Sequence, residues 1–119
     1  MSYSITIKRV YEAPEESDGY RILIDRLWPR GIKKESANLT EWLKDIAPSN
    51  ELRKWFNHEP EKFVEFSKRY REELKQHTED LKRIAKLVQS QKVTLLFGAK
   101  NETQNQAVVV QQVLKEIKV

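Results

Sequence analysis

The sequence predicts a small α/β domain, a mainly parallel sheet of three to four strands covered by about five helices. Three observations carry this expectation. Two short runs, Arg21–Asp25 (RILID) and Val93–Phe97 (VTLLF), have the nearly continuous apolar character of strands covered on both faces. Between and after them, apolar residues recur at intervals of three and four, as they do along one face of a helix. Finally, 119 residues, 39% hydrophobic and 34% charged, suffice for one modest core beneath a charged surface, so residues 1–119 are expected to form a single domain.

The elements follow in order. Residues 3–11 alternate apolar and polar side chains, with Tyr3, Ile5 and Ile7 on one face of a strand. Pro14, Ser17, Asp18 and Gly19 are turn chemistry. Residues 12–20 are a short connection for a parallel crossover, so the first strand is expected to pair antiparallel or to reach its place irregularly. Asn38 or Thr40 then caps a short helix that packs Leu39, Trp42, Leu43 and Ile46 and ends before Pro48. Ser49 suits the N-cap of the next, with Leu52, Trp55 and Phe56 inward. Pro60 opens a third helix carrying Phe63, Phe66, Tyr70 and Leu74. Thr78 caps a fourth, with Leu81, Ile84, Leu87 and Val88 inward. Gly98 closes the VTLLF strand, and a last helix starts near Asn101 or Thr103 and packs Ala107, Val110, Val113, Leu114 and Ile117. Its Val108–Val110 run favours a strand by propensity, but the 3–4 periodicity favours a helix.

Composition excludes several chemistries. Without cysteine there is no disulfide, thiolate nucleophile or cysteine-ligated zinc. His58 and His77 lie far apart with no second ligand at motif spacing, so neither a metal nor a cofactor is expected. No run approaches a membrane span of ~18 apolar residues, and the N-terminus lacks the apolar stretch of a signal peptide. The expectation is a cytoplasmic protein with no membrane partner.

Charge is unevenly spread. The net charge is +4, and residues 19–34 carry all of it: Arg21, Arg26, Arg30, Lys33 and Lys34 stand against Asp25 alone. A local basic excess suits an anion site better than a broad nucleic-acid face. Ligands of open parallel sheets bind beyond the carboxyl ends of the strands. At one such end stands Asp25-Arg26-Leu27-Trp28-Pro29-Arg30-Gly31. Its guanidiniums suit carboxylate or phosphate, and Gly31 permits close backbone approach. Asp25 and Arg26 have a plainer reading as an ion pair that fixes the loop. At the other end, Gly98 to Asn105 leads into a helix, offering Lys100, Asn101 and Asn105. Asn101 or Thr103 reads equally as an N-cap. No phosphate-binding glycine fingerprint is present. The candidate ligand-binding set is therefore Asp25, Arg26, Arg30, Gly31, Lys100, Asn101 and Asn105.

Three stretches, SDGYRILIDRLWPRGIKK, WLKDIAPSNELRKWF and TLLFGAKNETQNQAVVV, resemble the YeaO-like family of small bacterial and archaeal proteins, a domain of unknown function. The resemblance implies a compact α/β fold and no particular reaction, cofactor or partner. Asp25 to Gly31 match the family's D-R-L-W-P-R-G block. Ala47, Pro48, Ser49, Leu52 and Arg53 match A-P-S-x-x-L-R, and Ala99, Lys100 and Asn105 match the third stretch. Gln106 departs from the histidine of many relatives, which puts acid–base chemistry there in doubt more than binding. Arg53 either reaches the cleft or pairs with Glu51 or Asp45.

The functional expectation is a cytoplasmic protein binding a small phosphate- or carboxylate-bearing molecule, with nucleotides in that class. Turnover is left open, with Asp25 as the one well-placed base. The alternatives are a nucleic-acid-binding module, whose affinity falls steeply with salt, or a protein-interaction module using the three tryptophans on an exposed patch.

Overall fold

A computed structural model describes residues 4–118, so Tyr3 lies outside the described residues. The strands are β1 (Ile5–Arg9), β2 (Tyr20–Leu23), β3 (Glu41–Trp42) and β4 (Val93–Phe97). They form one sheet in the order β1-β4-β2-β3, and every pairing is parallel. The helices are α1 (Lys34–Ala37, a single turn), α2 (Asn50–Phe56), α3 (Phe63–Leu74), α4 (Thr78–Leu87) and α5 (Gln106–Glu116). The α/β class and the helix of the Val108–Val110 run stand as the sequence indicates. No helix among the described residues is long and apolar enough to cross a membrane.

β4 is central, and all five of its residues are buried. One face of the sheet, with Ile5, Ile22, Val93, Leu95 and Phe97, packs on Leu52, Phe66, Tyr70, Ile84, Val110 and their neighbours from α2–α5. The other face is covered by irregular chain. There Val10, Leu23 and Leu96 meet Trp28, Ile32, Leu39 and Trp42. Helices thus shield one side and loops the other.

β1 runs parallel to β4 and does not pair with β2, contrary to the antiparallel option. β4 lies between them, and residues 10–19 cross from one flank to the other. The crossing is held from below. Thr94 Oγ1 donates to the Asp18 carbonyl at 2.7 Å, and Lys8 Nζ donates to the Ala13 carbonyl at 2.8 Å. Gly19 ends the crossing at φ +68, where a Cβ would lie 2.4 Å from the Lys92 carbonyl oxygen, so only glycine fits.

The helix expected over Leu39–Ile46 is instead β3 followed by a 3-10 turn at Lys44–Ile46. Its 3–4 spacing arises because Leu39 and Trp42 serve the loop-covered core, whereas Leu43 and Ile46 serve the helical one. The backbone is committed to β2, with Thr40 N–H bonded to the Arg21 carbonyl and Leu43 N–H to that of Leu23, both at 2.9 Å. Ser49 caps α2 as expected, its Oγ accepting from Leu52 N–H at 3.1 Å. Thr78 starts α4 without capping it, since its hydroxyl donates back to the Lys75 carbonyl. α5 begins later than expected, at Gln106, and Asn105 is its N-cap.

On the loop-covered face, Asp18 and Arg21 are 5% and 2% exposed. Arg21 Nη1 meets Asp18 Oδ2 at 2.5 Å, while its other nitrogens donate to the Asn38 and Ala37 carbonyls at 3.0 and 2.9 Å. Lys8 Nζ reaches both Asp18 oxygens, at 3.2 and 3.1 Å. Burial alone would raise the Asp18 carboxyl. The Glu15 backbone N–H, Lys8 and Arg21 outweigh it and hold the group below the usual aspartate range.

Removing one partner of a buried charge pair strands the other, typically at about 3–5 kcal/mol. Asp18→Ala should therefore lower Tm by about 10 °C or more in thermal unfolding. The double variant Asp18→Leu/Arg21→Met should lose clearly less than the two single effects combined. Because the folded pKa is depressed, this stabilisation is present above the unfolded value near 4. It should be lost as pH falls through the lower folded value.

Candidate functional site

The parallel register sets β2 and β4 side by side, with Leu23 opposite Leu96, so both chains emerge together at their carboxyl ends. Asp25 and Gly98 meet there. Gly98 N–H donates to Asp25 Oδ2 at 2.8 Å, and the Gln106 side-chain amide donates to Oδ1. The Asp25 carbonyl accepts from Trp42 Nε1 at 2.7 Å. One residue thus ties together the ends of β2 and β4, the end of β3 and the first residue of α5. A Cβ on Gly98 would stand 2.7 Å from Asp25 Oδ2, so glycine is required to keep that bond.

Arg26 turns away from Asp25. Its Nε donates to the Pro48 carbonyl at 2.9 Å and Nη2 to that of Ala47 at 3.0 Å. The A-P-S stretch is therefore the seat of Arg26, with Ser49 starting α2 from the same place. The ion pair between Asp25 and Arg26 that the sequence allowed is not formed.

Between these groups opens a cavity of about 560 Å³, bordered by the 25–29 loop, α2, α3 and the 98–106 segment. Asp25, Arg26, Lys100, Asn101 and Asn105 line it, as does Arg53. Arg30 and Gly31 do not. Arg30 is exposed on the outer part of its loop, its carbonyl accepting from the Tyr11 hydroxyl at 3.0 Å, and Gly31 makes the turn at φ +78. The basic cluster read from residues 19–34 is thus split three ways. Arg21 is buried against Asp18, Arg26 borders the cavity, and Arg30, Lys33 and Lys34 face solvent.

Each lining group has a defined state. Asn105 is 1% exposed and is spent on α5, its Oδ1 accepting from Ala107 and Val108 N–H. Asn101 is exposed and organises its own turn, accepting from Thr103 and Gln104 N–H at 3.0 and 2.9 Å. Lys100 is exposed at the rim. Arg53 pairs with neither Glu51 nor Asp45; its Nη2 reaches Asn50 Oδ1 at 3.4 Å, and its buried Nε has no partner. That nitrogen is the one orphaned buried side-chain donor or acceptor among the described residues. His58, near the same opening, stands at φ +55.

No tryptophan is exposed. Trp28 and Trp42 meet edge to face with centroids 5.2 Å apart, and Arg69 and Lys62 lie over the Trp55 ring. The Trp28–Pro29 bond is trans.

Burial raises the Asp25 carboxyl to about 6, against the opposing Gly98 and Gln106 hydrogen bonds. The folded state therefore holds this proton more tightly than the unfolded chain. Asp25 thus lowers stability as pH rises from about 4 to 6, and its cost is fully present above 6. Asp25→Asn keeps an acceptor for Gly98 and offers an amide to Gln106. It should raise Tm at pH 8 and change it less at pH 4.5. Equal effects at both pH values would contradict the assignment.

A family described as the inactive DUF488-N3 subclade, DUF488-N3i, matches residues 4–118. Uncharacterized protein YeaO of Escherichia coli (strain K12) is 51% identical over 114 residues, which is 96% of this chain and 99% of YeaO. Uncharacterized protein Rv3073c of Mycobacterium tuberculosis (strain H37Rv) is 41% identical over 110 residues, 92% of each chain. No solved structure matches. With both strand ends, the seat of Arg26 and the Arg53 helix inside the matched span, the chain belongs to the DUF488-N3i, or YeaO-like, family.

Proposed function

We propose that the protein binds a small phosphate- or carboxylate-bearing molecule in the cavity at the carboxyl ends of β2 and β4. The observation that carries the reading is Arg53, whose buried Nε has no partner and whose side chain borders the cavity. A buried unmet donor is costly, and a guanidinium meets a carboxylate or phosphate through two parallel bonds. Arg26 and Lys100 add positive charge to the same walls, with Asp25 as the single acid lining them. Asn101 contributes polar character at the rim.

Binding without turnover is the reading favoured for Asp25. Both its oxygens accept hydrogen bonds from the fold, which leaves it an anchor for the strand ends and not a free base. The family's description as an inactive subclade agrees with this.

Thermal unfolding at low salt, against phosphate, sugar phosphates, nucleotides, aryl phosphates and mono- and dicarboxylates, tests the reading. A bound ligand at ~100 times its Kd should add about 2.7 kcal/mol, a rise of several degrees in Tm. Arg53→Gln should weaken that ligand about 10- to 100-fold, the worth of a charge-assisted bond. Arg30→Ala should leave it unchanged. No shift across the panel, or a shift that survives Arg53→Gln and vanishes in Arg30→Ala, would overturn the proposal.

A further inference from the structure

We infer that the ligand of this cavity is an anion carrying an apolar, ring-sized body, in the manner of an aryl carboxylate or aryl phosphate, and not a small hydrophilic anion. The inference rests on the anion-binding reading above and narrows its ligand class. The volume is the first argument: about 560 Å³ is drug-sized space, far more than a bare phosphate fills. The walls are the second. Apart from the cations and Asp25, much of the lining is ring or proline: Trp28, Pro29, Pro48, Phe56 and Phe66. These surfaces offer a hydrophilic sugar no hydrogen bonds, whereas a ring gains both burial and stacking against them.

The opening is the third argument and is independent of the others. Three large apolar residues are exposed among the described residues, Tyr11 at 43%, Leu27 at 59% and Val64 at 70%. Two of them, Tyr11 and Leu27, border this one cavity. Leu27 sits between Arg26, which is fastened to the Ala47 and Pro48 carbonyls, and Trp28, whose Nε1 is fastened to the Ile32 carbonyl at 2.7 Å. The loop is thus held at both neighbours while Leu27 is left in water at the opening, where the body of a ligand would cover it. Arg53 takes the anionic group and the ring faces take the rest.

The test pairs matched probes: phenyl phosphate against inorganic phosphate, benzoate against acetate, and benzamide as the uncharged control. Binding is read by intrinsic tryptophan fluorescence, with Trp28 the one tryptophan in the cavity lining, and by Tm at low salt. At least one aryl anion should bind about tenfold or more tighter than its hydrophilic counterpart, as burial of a ring requires. The aryl anion should also bind more tightly than benzamide. The two pairs separate a phosphate from a carboxylate ligand. Because Leu27 is exposed, Leu27→Ser should leave the unliganded Tm unchanged while weakening the aryl anion severalfold. If phosphate or acetate binds as tightly as its aryl partner and Arg53→Gln removes it, the anion site stands and this inference falls. Benzamide binding as tightly as benzoate and phenyl phosphate would overturn both, and no binding by either aryl anion would overturn this inference.

Discussion

A half-buried carboxylate sits where four parts of the chain converge. Asp25 receives Gly98 N–H from the end of β4, the Gln106 amide from the start of α5 and, on its own carbonyl, the Trp42 indole from the end of β3. Burial opposes ionisation of such a group, and two donors partly offset that cost. The cavity lies beside these segments pinned around Asp25, and Arg26 ties the same loop to the chain entering α2. Adjacent residues thus do opposite things. Asp25 gathers the strand ends, while Arg26 fastens the far wall.

The opposite face of the sheet depends on a second set of charges. A parallel β1-β4-β2 arrangement with a ten-residue connection leaves little chain with which to build a covering helix. Asp18, Lys8 and Arg21 replace the missing helix with a buried ionic clasp that presses the connection onto Thr94. One member of the local basic excess, Arg21, is thereby explained without a ligand. The cations that border the cavity, Arg26, Arg53 and Lys100, come from three separate parts of the sequence.

This division marks what the sequence made legible. VTLLF matches β4 residue for residue, Ser49 caps α2, and Phe66, Tyr70 and Leu74 are buried on α3, because each signal depends on neighbours in the chain. Leu39–Ile46 misled because a chain passing between two cores can mimic the spacing of a helix with one buried face. Asn105 was legible as polar and near a helix start, but its choice of capping over ligand contact depends on where α5 begins. Arg53 was visible as part of a motif. Its orphaned Nε depends on the distances to Glu51 and Asp45, which no spacing rule supplies. Phe56 and Phe66 read as core, and they are core on one side and cavity wall on the other.

The most direct measurement is the NMR signal of the Arg53 Nε–H proton, identified by its loss in Arg53→Gln, during titration with phenyl phosphate and benzoate. A buried donor that gains an anionic acceptor should move strongly downfield and saturate together with the change in tryptophan fluorescence. A Nε–H signal that stays in place while the ligand saturates would contradict the account and put the anion elsewhere.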